Sequence, residues 1–419
     1  MRAWYRQLDY GVFLAWAGLM GVGLIAIYST THGEAAEYLL DSVKQNFFRQ
    51  LLWTGISLVA LGACLTLSGR FYQNVAYLSY AVMLVLTVAT ALFGREVNGA
   101  TGWLYIGGFG IQTAEFTKVA TVLAVAQLLA SRRPNANNLR YGAGATVLLL
   151  IPAAIIIGPQ NDTGTGLVFL GLIPIMLFWS GLPLHVLALM LAPAIAGYFA
   201  IVYLPVAVVF AILFTLGIWI TTRERLLAGI ALALTAGVTG AAQFAISLLQ
   251  PHQVARIVSF TNPEAEEFRS GVGYHLVQSK AAIGSGGLFG TGFMEGTQTA
   301  GGYIPEQSTD FVFSIIGEEW GFVGSLVVLA LYGLLLVRLV RLGTQMKHPF
   351  GSMMAAGAAG VFLIHLFVNL GMVTGLLPVI GIPLPFISYG GSALLANSLM
   401  LAVILTLHMK RDDFSIYGY

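Results

Sequence analysis

Long apolar stretches, separated by short polar segments, make up most of the chain. A helix needs about 20 residues to cross the hydrocarbon core of a bilayer, and twelve stretches approach or exceed that length. They lie near residues 10–29, 50–68, 72–93, 114–131, 142–158, 165–181, 184–204, 205–221, 227–249, 310–339, 351–377 and 386–409. The pattern predicts an all-α fold, a polytopic membrane helical bundle with about twelve transmembrane helices.

The polar segments between these stretches indicate the orientation of the chain. With a cytoplasmic N-terminus, 13 of the 20 Lys and Arg residues fall inside and 7 fall outside. This asymmetry follows the positive-inside rule and predicts that both termini are cytoplasmic. The two stretches that meet at Pro205 could also form one kinked helix. That reading would put the segment TTRER outside and reverse every later loop, so the charges favour two spans.

One polar segment, residues 250–309, is much longer than the others and is predicted to form a large extracytoplasmic loop. Its second half contains apolar patches interrupted by glycines, as in VQSKAAIGSGGLFGTGFMEGTQTAGG. This composition is typical of amphipathic or re-entrant segments that lie against the membrane.

Composition supports a membrane protein and narrows its chemistry. The chain is 57% hydrophobic and 9% charged, and it contains 50 glycines in 419 residues, a balance that water-soluble domains do not have. A net charge of +2 gives no support for a nucleic-acid partner. Cys64 is the single cysteine, which excludes an intrachain disulfide and a cysteine metal cluster. The histidines are scattered, and the glycine run 284–292 does not match a nucleotide-binding motif.

Four charged residues converge on the predicted outer side of the bundle. Glu115 and Lys118 are three positions apart, on one helix face near the outer end of a span. Asp162 lies in the next outer turn, and Asp310 begins a span from the same side. Inserting a charged residue at the centre of a span costs about 2.5–3.5 kcal/mol of free energy. Each charged residue is therefore expected to have a binding partner or a functional role. Simple structural readings stay open: a self-neutralising ion pair, a turn residue, and a helix N-cap at Asp310.

Two further acids, Glu318 and Glu319, fall inside the predicted span 310–339, two to three turns from its start. At least one of them is expected to face the bundle interior. There it would be a hydrogen-bonding anchor or a proton-relay group, and we favour the anchor.

Four separated blocks of the chain resemble the SEDS family of bacterial cell-wall polymerases. They are AEFTK (114–118), GYHLVQSKAAIGSGGLFGTGFMEGTQ (273–298), PEQSTDFVFSIIGEEWGFVG (305–324) and NLGMVTGLLPVIGIPLPFISYGGSALL (369–395). The blocks occur in the same order as in the family and together span most of the chain. The resemblance therefore implies that residues 1–419 form a single SEDS-type membrane domain. The segments GTQ and GIPLPFISYGG look more like the elongation members of the family than the division members.

The chain departs from the family pattern in two places. Ser308 stands where the family often has a basic residue or histidine, so an auxiliary contact beside Asp310 is in doubt. Family members usually have ten spans, whereas residues 184–249 contain about three apolar runs where one is expected. We interpret residues 184–226 as an inserted helical hairpin region, which leaves the side of each later loop unchanged.

The resemblance implies inverting glycosyl transfer from lipid II at the outer membrane face, extending a nascent glycan strand in elongation and rod-shape maintenance. Such a transfer needs a base for the acceptor hydroxyl and positive charge for the departing pyrophosphate. By resemblance Asp310 is the catalytic base. Lys118, oriented by Glu115, is the candidate for contacting pyrophosphate.

The resemblance leaves the remaining binding groups as candidates. Asp162 and Glu306 could help to place a divalent cation, Mg²⁺ or Mn²⁺, although hydrated loop positions explain both equally well. Lys280 is a further phosphate candidate. No organic cofactor is expected, and whether a metal is required stays open.

The resemblance also implies a partner and a location. A polymerase of glycan strands leaves peptides uncrosslinked, so a class B penicillin-binding protein is the expected transpeptidase partner, in the bacterial cytoplasmic (inner) membrane among its lipids. The alternatives are a lipid II flippase, a division polymerase of the same family, or a scaffold for other wall enzymes. Alternating access favours polar groups near the midplane and repeated halves, whereas these charges gather toward the outer face.

Overall fold

The computed structural model describes residues 7–33, 41–97, 99–106, 109–130, 139–248, 273–304 and 306–412. The first half of the chain forms α1 (Tyr10–His32), α2 (Asp41–Lys44), α3 (Asn46–Thr66), α4 (Gly69–Phe93), β1 (Arg95–Val97), β2 (Ala100–Ile106), β3 (Phe109–Gln112), α5 (Thr113–Ala130), α6 (Leu139–Ile157), α7 (Thr163–Trp179) and α8 (Leu184–Val202). The second half forms α9 (Leu204–Thr222), α10 (Arg225–Leu248), α11 (Tyr274–Ser285), α12 (Thr297–Ala300), α13 (Val312–Glu319), α14 (Gly321–Gln345), α15 (Pro349–Thr374) and α16 (Gly391–Met409).

The helices confirm a polytopic membrane bundle. Within the described residues, 11 helices are long and apolar enough to cross a membrane. The remaining predicted span, 165–181, corresponds to α7, an apolar helix of 17 residues. The two stretches that meet at Pro205 are separate helices, because the extended backbone of Tyr203 ends α8 and begins α9.

The chain divides into two compact units, residues 1–176 with 278–419, and residues 177–277. The second unit contains α8, α9 and α10, whose contact is built from Leu189, Ile218 and Ala231. Small residues spaced four apart on α8, Ala192, Ala196 and Ala200, are all buried. Such a stripe lets neighbouring helices approach closely in a membrane.

That residues 184–226 form an insertion stays a prediction. The predicted large loop 250–309 lies partly outside the described residues, and the side of the membrane it faces also stays a prediction.

A three-stranded antiparallel sheet, β1–β2–β3, lies between α4 and α5, in a segment for which the sequence pattern predicted no element. Trp103 pairs with Gln112 in the β2–β3 register. Two backbone contacts fix the sheet to other segments: Thr101 N donates to the Gln160 carbonyl, and Gln112 N donates to Ser392 Oγ at 3.0 Å. Because β3 runs directly into α5, the sheet positions the first turn of that helix.

The predicted continuous span 310–339 is wrong, because the helix breaks after Glu319. Gly321 has φ +65°, a left-handed conformation that glycine adopts without strain, and the membrane-spanning helix α14 begins there. The first amides of α14 are satisfied by the glycine run, since Phe322 N and Val323 N donate to the carbonyls of Gly287 and Leu288.

Glu318 and Glu319 therefore end the short helix α13 rather than lying inside a span, and both are buried. The Glu318 carboxylate accepts hydrogen bonds from Gln298 N at 2.7 Å, Thr299 N at 3.0 Å and Thr299 Oγ at 2.7 Å. Glu319 accepts a hydrogen bond from Ser29 Oγ on α1. These contacts support the anchoring role, because the carboxylates tie α12 and α1 to α13.

Close backbone packing between the glycine run and α13 generates a stability prediction. A Cβ atom on Gly286 would lie 1.9 Å from the Gly317 carbonyl oxygen, whereas one on Gly284, two residues earlier, would meet nothing within 4 Å. We expect Gly286→Ala to destabilise the protein by about 1–3 kcal/mol through overpacking, and Gly284→Ala to leave stability almost unchanged. Thermal unfolding of the two variants in the same detergent checks this. Equal midpoints would contradict the packing described here.

Candidate active site

Lys118 is completely buried in α5 and is paired with Glu115. Its Nζ lies 2.9 Å from Glu115 Oε1, one helical turn earlier, and the two side chains are 0% and 1% exposed. The sequence predicted this pair from the spacing. Because Glu115 lies in the first turn of α5, its negative charge also suits the positive end of the helix dipole.

His365 of α15 is the second partner of Lys118. Its Nε2 lies 2.8 Å from Lys118 Nζ, and its Nδ1 lies 2.9 Å from the Pro383 carbonyl oxygen. A carbonyl only accepts, so Nδ1 carries the proton and Nε2 accepts from the lysine. Sequence reasoning missed this residue, which is one polar side chain in a long apolar run.

Asn369 follows His365 by one helical turn on the same face of α15 and is fully buried. Its Nδ2 donates to the Asp310 carbonyl at 2.8 Å and to the Ile382 carbonyl at 2.7 Å. Sequence reasoning treated Asn369 only as part of a family block. One sequence feature could have identified both residues: His365 and Asn369 are polar and lie four positions apart within a predicted span.

The main chain leading into Asp310 is held at three consecutive carbonyls. Tyr389 N donates to the Ser308 carbonyl at 2.8 Å, Ser388 Oγ donates to the Thr309 carbonyl at 2.6 Å, and Asn369 binds the Asp310 carbonyl as described. Ser388 and Tyr389 belong to the predicted family block near the C-terminus. The long-range contact between two separate sequence blocks therefore positions the proposed base.

Asp310 itself is partly exposed and lies in a turn before α13. The N-cap of α13 is Phe311, without a side-chain cap, so the alternative reading of Asp310 as the helix cap is wrong. A Cβ atom on Gly381 would lie 3.2 Å from Asp310 Oδ2, which shows how closely that glycine approaches the carboxylate. Burial raises the pKa of Asp310 to about 7, with further contributions from the negative charges of Glu306 and Asp162.

Asp162 has a structural task in addition to its proximity to Asp310. Its Oδ1 accepts from Thr165 N at 2.9 Å, which caps the first turn of α7, and its Oδ2 accepts from Gln112 Nε2 at 3.0 Å. The turn-residue reading of Asp162 is therefore correct, and its charge still acts on Asp310.

The other two candidates are exposed. Glu306 has φ +53° and its Oε2 accepts from Thr309 Oγ at 2.9 Å, which bends the chain just before Asp310. Lys280 lies exposed on α11. Its contact with a phosphate stays a prediction.

The acids near Asp310 do not form a ready-made metal cage. Among the described residues, no group of three or more His, Cys, Asp or Glu side chains is arranged to hold a metal ion. Magnesium commonly binds through one or two carboxylates together with substrate phosphates. A cation here would have to be shared with the substrate in that way.

Comparison with known proteins identifies the family. The sequence profile of the FtsW, RodA and SpoVE family, described as "Cell cycle protein", matches residues 10–213 and 204–413. The chain is 32% identical to the peptidoglycan glycosyltransferase RodA of Treponema pallidum, covering 97% of this chain and 98% of that protein. It is 33% identical to the peptidoglycan glycosyltransferase MrdB of Escherichia coli K12, over 88% and 86% of the two chains.

A solved structure supports the same assignment. A chain from a peptidoglycan synthase complex, described as coordinating polymerization and crosslinking, superposes with a TM-score of 0.70 at 27% identity. The match covers 98% of this chain and 99% of that chain. The protein therefore belongs to the FtsW, RodA and SpoVE family, which is the SEDS family that its sequence blocks resemble.

Proposed function

We propose that this multi-pass membrane protein polymerises peptidoglycan glycan strands from lipid II, in cell elongation and rod-shape maintenance. Relatives named as peptidoglycan glycosyltransferases support the reaction class. The observation that carries the proposal is Asp310, a carboxyl with a pKa of about 7 that is held in place by three consecutive backbone contacts. Such a group can take a proton at neutral pH.

In the proposed reaction, Asp310 removes the proton from the acceptor hydroxyl as that oxygen attacks the anomeric carbon of the donor sugar. The bond from that carbon to the pyrophosphate oxygen breaks, and attack from the opposite face inverts the configuration. The departing pyrophosphate carries negative charge, which a fixed cation nearby would stabilise.

Lys118 is the proposed cation for that charge. Two of its three N–H groups are used by Glu115 and His365, and the third is proposed to donate to a phosphate oxygen. Because Lys118 is 0% exposed in this structure, that contact requires the surrounding helices to open when substrate binds. Glu115 compensates the charge of Lys118 while the site is empty of substrate. Asp162 and Glu306 would help to hold a Mg²⁺ or Mn²⁺ ion, which would supply further positive charge for the phosphates.

The proposal extends to location and partner. The peptidoglycan synthase complex that this chain resembles supports a penicillin-binding protein as partner, and we propose a class B transpeptidase. We further propose that the protein lies in the bacterial inner membrane with both termini in the cytoplasm, on the basis of the charge asymmetry of its loops.

The first prediction concerns Asp310. Purified protein with its cognate penicillin-binding protein and lipid II should form long glycan strands, and Asp310→Asn should lower the initial rate about 10²–10⁴-fold, the usual contribution of a general base. Strand products are measured on gels, with folding checked by gel filtration. Asp412→Asn, which alters an exposed carboxyl paired with Lys347, is the control and should keep the wild-type rate. Absence of strands from wild type, together with transfer of lipid II between leaflets of proteoliposomes, would replace the polymerase with a flippase.

The second prediction concerns pH. The base must be deprotonated, so the rate should rise about tenfold per pH unit below pH 7 and level off above it. Glu306→Gln and Asp162→Asn each remove a negative charge that raises the pKa of Asp310, so each should shift the midpoint to lower pH. Asparagine can still cap α7, which limits structural effects at position 162. A midpoint unaffected by both substitutions would contradict these charge contributions and leave burial as the cause of the raised pKa. A midpoint near pH 7 that persists in the residual activity of Asp310→Asn would rule out Asp310 as the titrating base.

The third prediction concerns the cation. Chelation with EDTA should slow strand synthesis, and added Mg²⁺ or Mn²⁺ should restore it, because a divalent ion shared with the substrate phosphates would neutralise charge on the departing pyrophosphate. An unchanged rate after chelation would assign stabilisation of the pyrophosphate to Lys118 without a metal.

A further inference from the structure

We infer that α15 is the element that sets the relative positions of the two functional charges, with His365 as the positioning residue for Lys118. This inference rests on the proposed function, because it assigns a task to the cation of that site. His365 is 2% exposed and lies on a span in which most neighbours are apolar. A polar side chain there is energetically unfavourable unless its hydrogen bonds have a structural or functional role.

The contacts of His365 give it one consistent orientation. Its Nδ1 donates to the Pro383 carbonyl at 2.9 Å, which leaves the Nε2 lone pair directed at Lys118 Nζ, 2.8 Å away. A doubly protonated imidazole would instead present an N–H to the ammonium group. The lysine contact therefore selects a neutral ring with the proton on Nδ1.

His365 and Asn369 together grip the same loop at adjacent residues. Asn369 Nδ2 binds the Ile382 carbonyl at 2.7 Å, and His365 binds the next carbonyl, that of Pro383. The preceding residue, Gly381, approaches the Asp310 carboxylate. Asn369 also holds the Asp310 main chain, so an unbroken set of short contacts runs from Lys118 through α15 to Asp310.

A simpler reading is that His365 only fastens this loop. The chain offers a control for that reading, because the Tyr332 hydroxyl on α14 donates to the Pro385 carbonyl, in the same loop, and Tyr332 is fully buried. Tyr332→Phe removes one loop fastening without altering the surroundings of Lys118. If loop fastening is all that His365 does, the two positions should respond alike.

The experiment compares His365→Phe, His365→Gln and Tyr332→Phe in steady-state strand synthesis from lipid II with the partner present. Phenylalanine keeps the ring but loses both hydrogen bonds. Glutamine supplies an NH₂ donor group and an oxygen acceptor and can replace both contacts. We expect His365→Phe to lower kcat about 10–100-fold, the cost of losing the outer partner of a functional ligand in metal sites. The KM for lipid II should change much less.

The rescue and the control complete the test. His365→Gln should recover kcat to within about threefold of wild type, and Tyr332→Phe should keep kcat while lowering the thermal midpoint. If His365→Phe does not fold, His365→Met serves as the apolar variant. Wild-type kcat in the apolar variant, a glutamine variant as slow as that variant, or a Tyr332→Phe enzyme as slow as it would each overturn the inference. The proposed function fails separately, if wild type forms no strands.

Discussion

Three consecutive carbonyl groups, those of Ser308, Thr309 and Asp310, each accept one hydrogen bond, and the placement of Asp310 depends on them. Ser308, Ser388 and Asn369 are buried, and buried backbone polar groups that lose their partners cost several kcal/mol. The donors are an amide, a hydroxyl and a side-chain amide from two segments far away in sequence. The turn that presents the carboxylate is therefore stable only when those segments are folded around it.

Two of these donors, on Ser388 and Tyr389, belong to one segment. That segment is held by hydrogen bonds to the side-chain amide of Gln50 on α3. Gln50 Nε2 donates to the Ser388 carbonyl at 3.3 Å, and Gln50 Oε1 accepts from Gly390 N at 3.2 Å, as a neighbouring backbone strand would. Gln50 is 2% exposed, so both contacts form away from water. Gln50, His365 and Asn369 thus supply hydrogen bonds to irregular backbone, and the carbonyls of the glycine run do the same for the amides of α14.

The features that could be predicted from the sequence are those that depend on local spacing. Apolar length predicted the spans, and the spacing of Glu115 and Lys118 predicted their pair. The break at Gly321 was not predictable in this way, because an apolar run continues through it and only contacts with residues 287 and 288 stabilise the new helix start. His365 and Asn369 were missed for a related reason. Their partners are carbonyls at 382 and 383, and a carbonyl has no signature in a sequence.

The separation of the two functional charges follows from the same contacts. A lysine placed directly on Asp310 would lower the pKa of that carboxyl and make it a poor base at neutral pH. The structure pairs Lys118 with Glu115 and His365 instead, and surrounds Asp310 with influences that all raise its pKa. In the proposed reaction, Lys118 would stabilise the departing pyrophosphate, while a carboxyl with a pKa near 7 would take up a proton in one transfer and release it before the next. His365 and Asn369, one turn apart on the same face of α15, contact Lys118 and the Asp310 main chain respectively. This one helix face therefore connects the two charged groups.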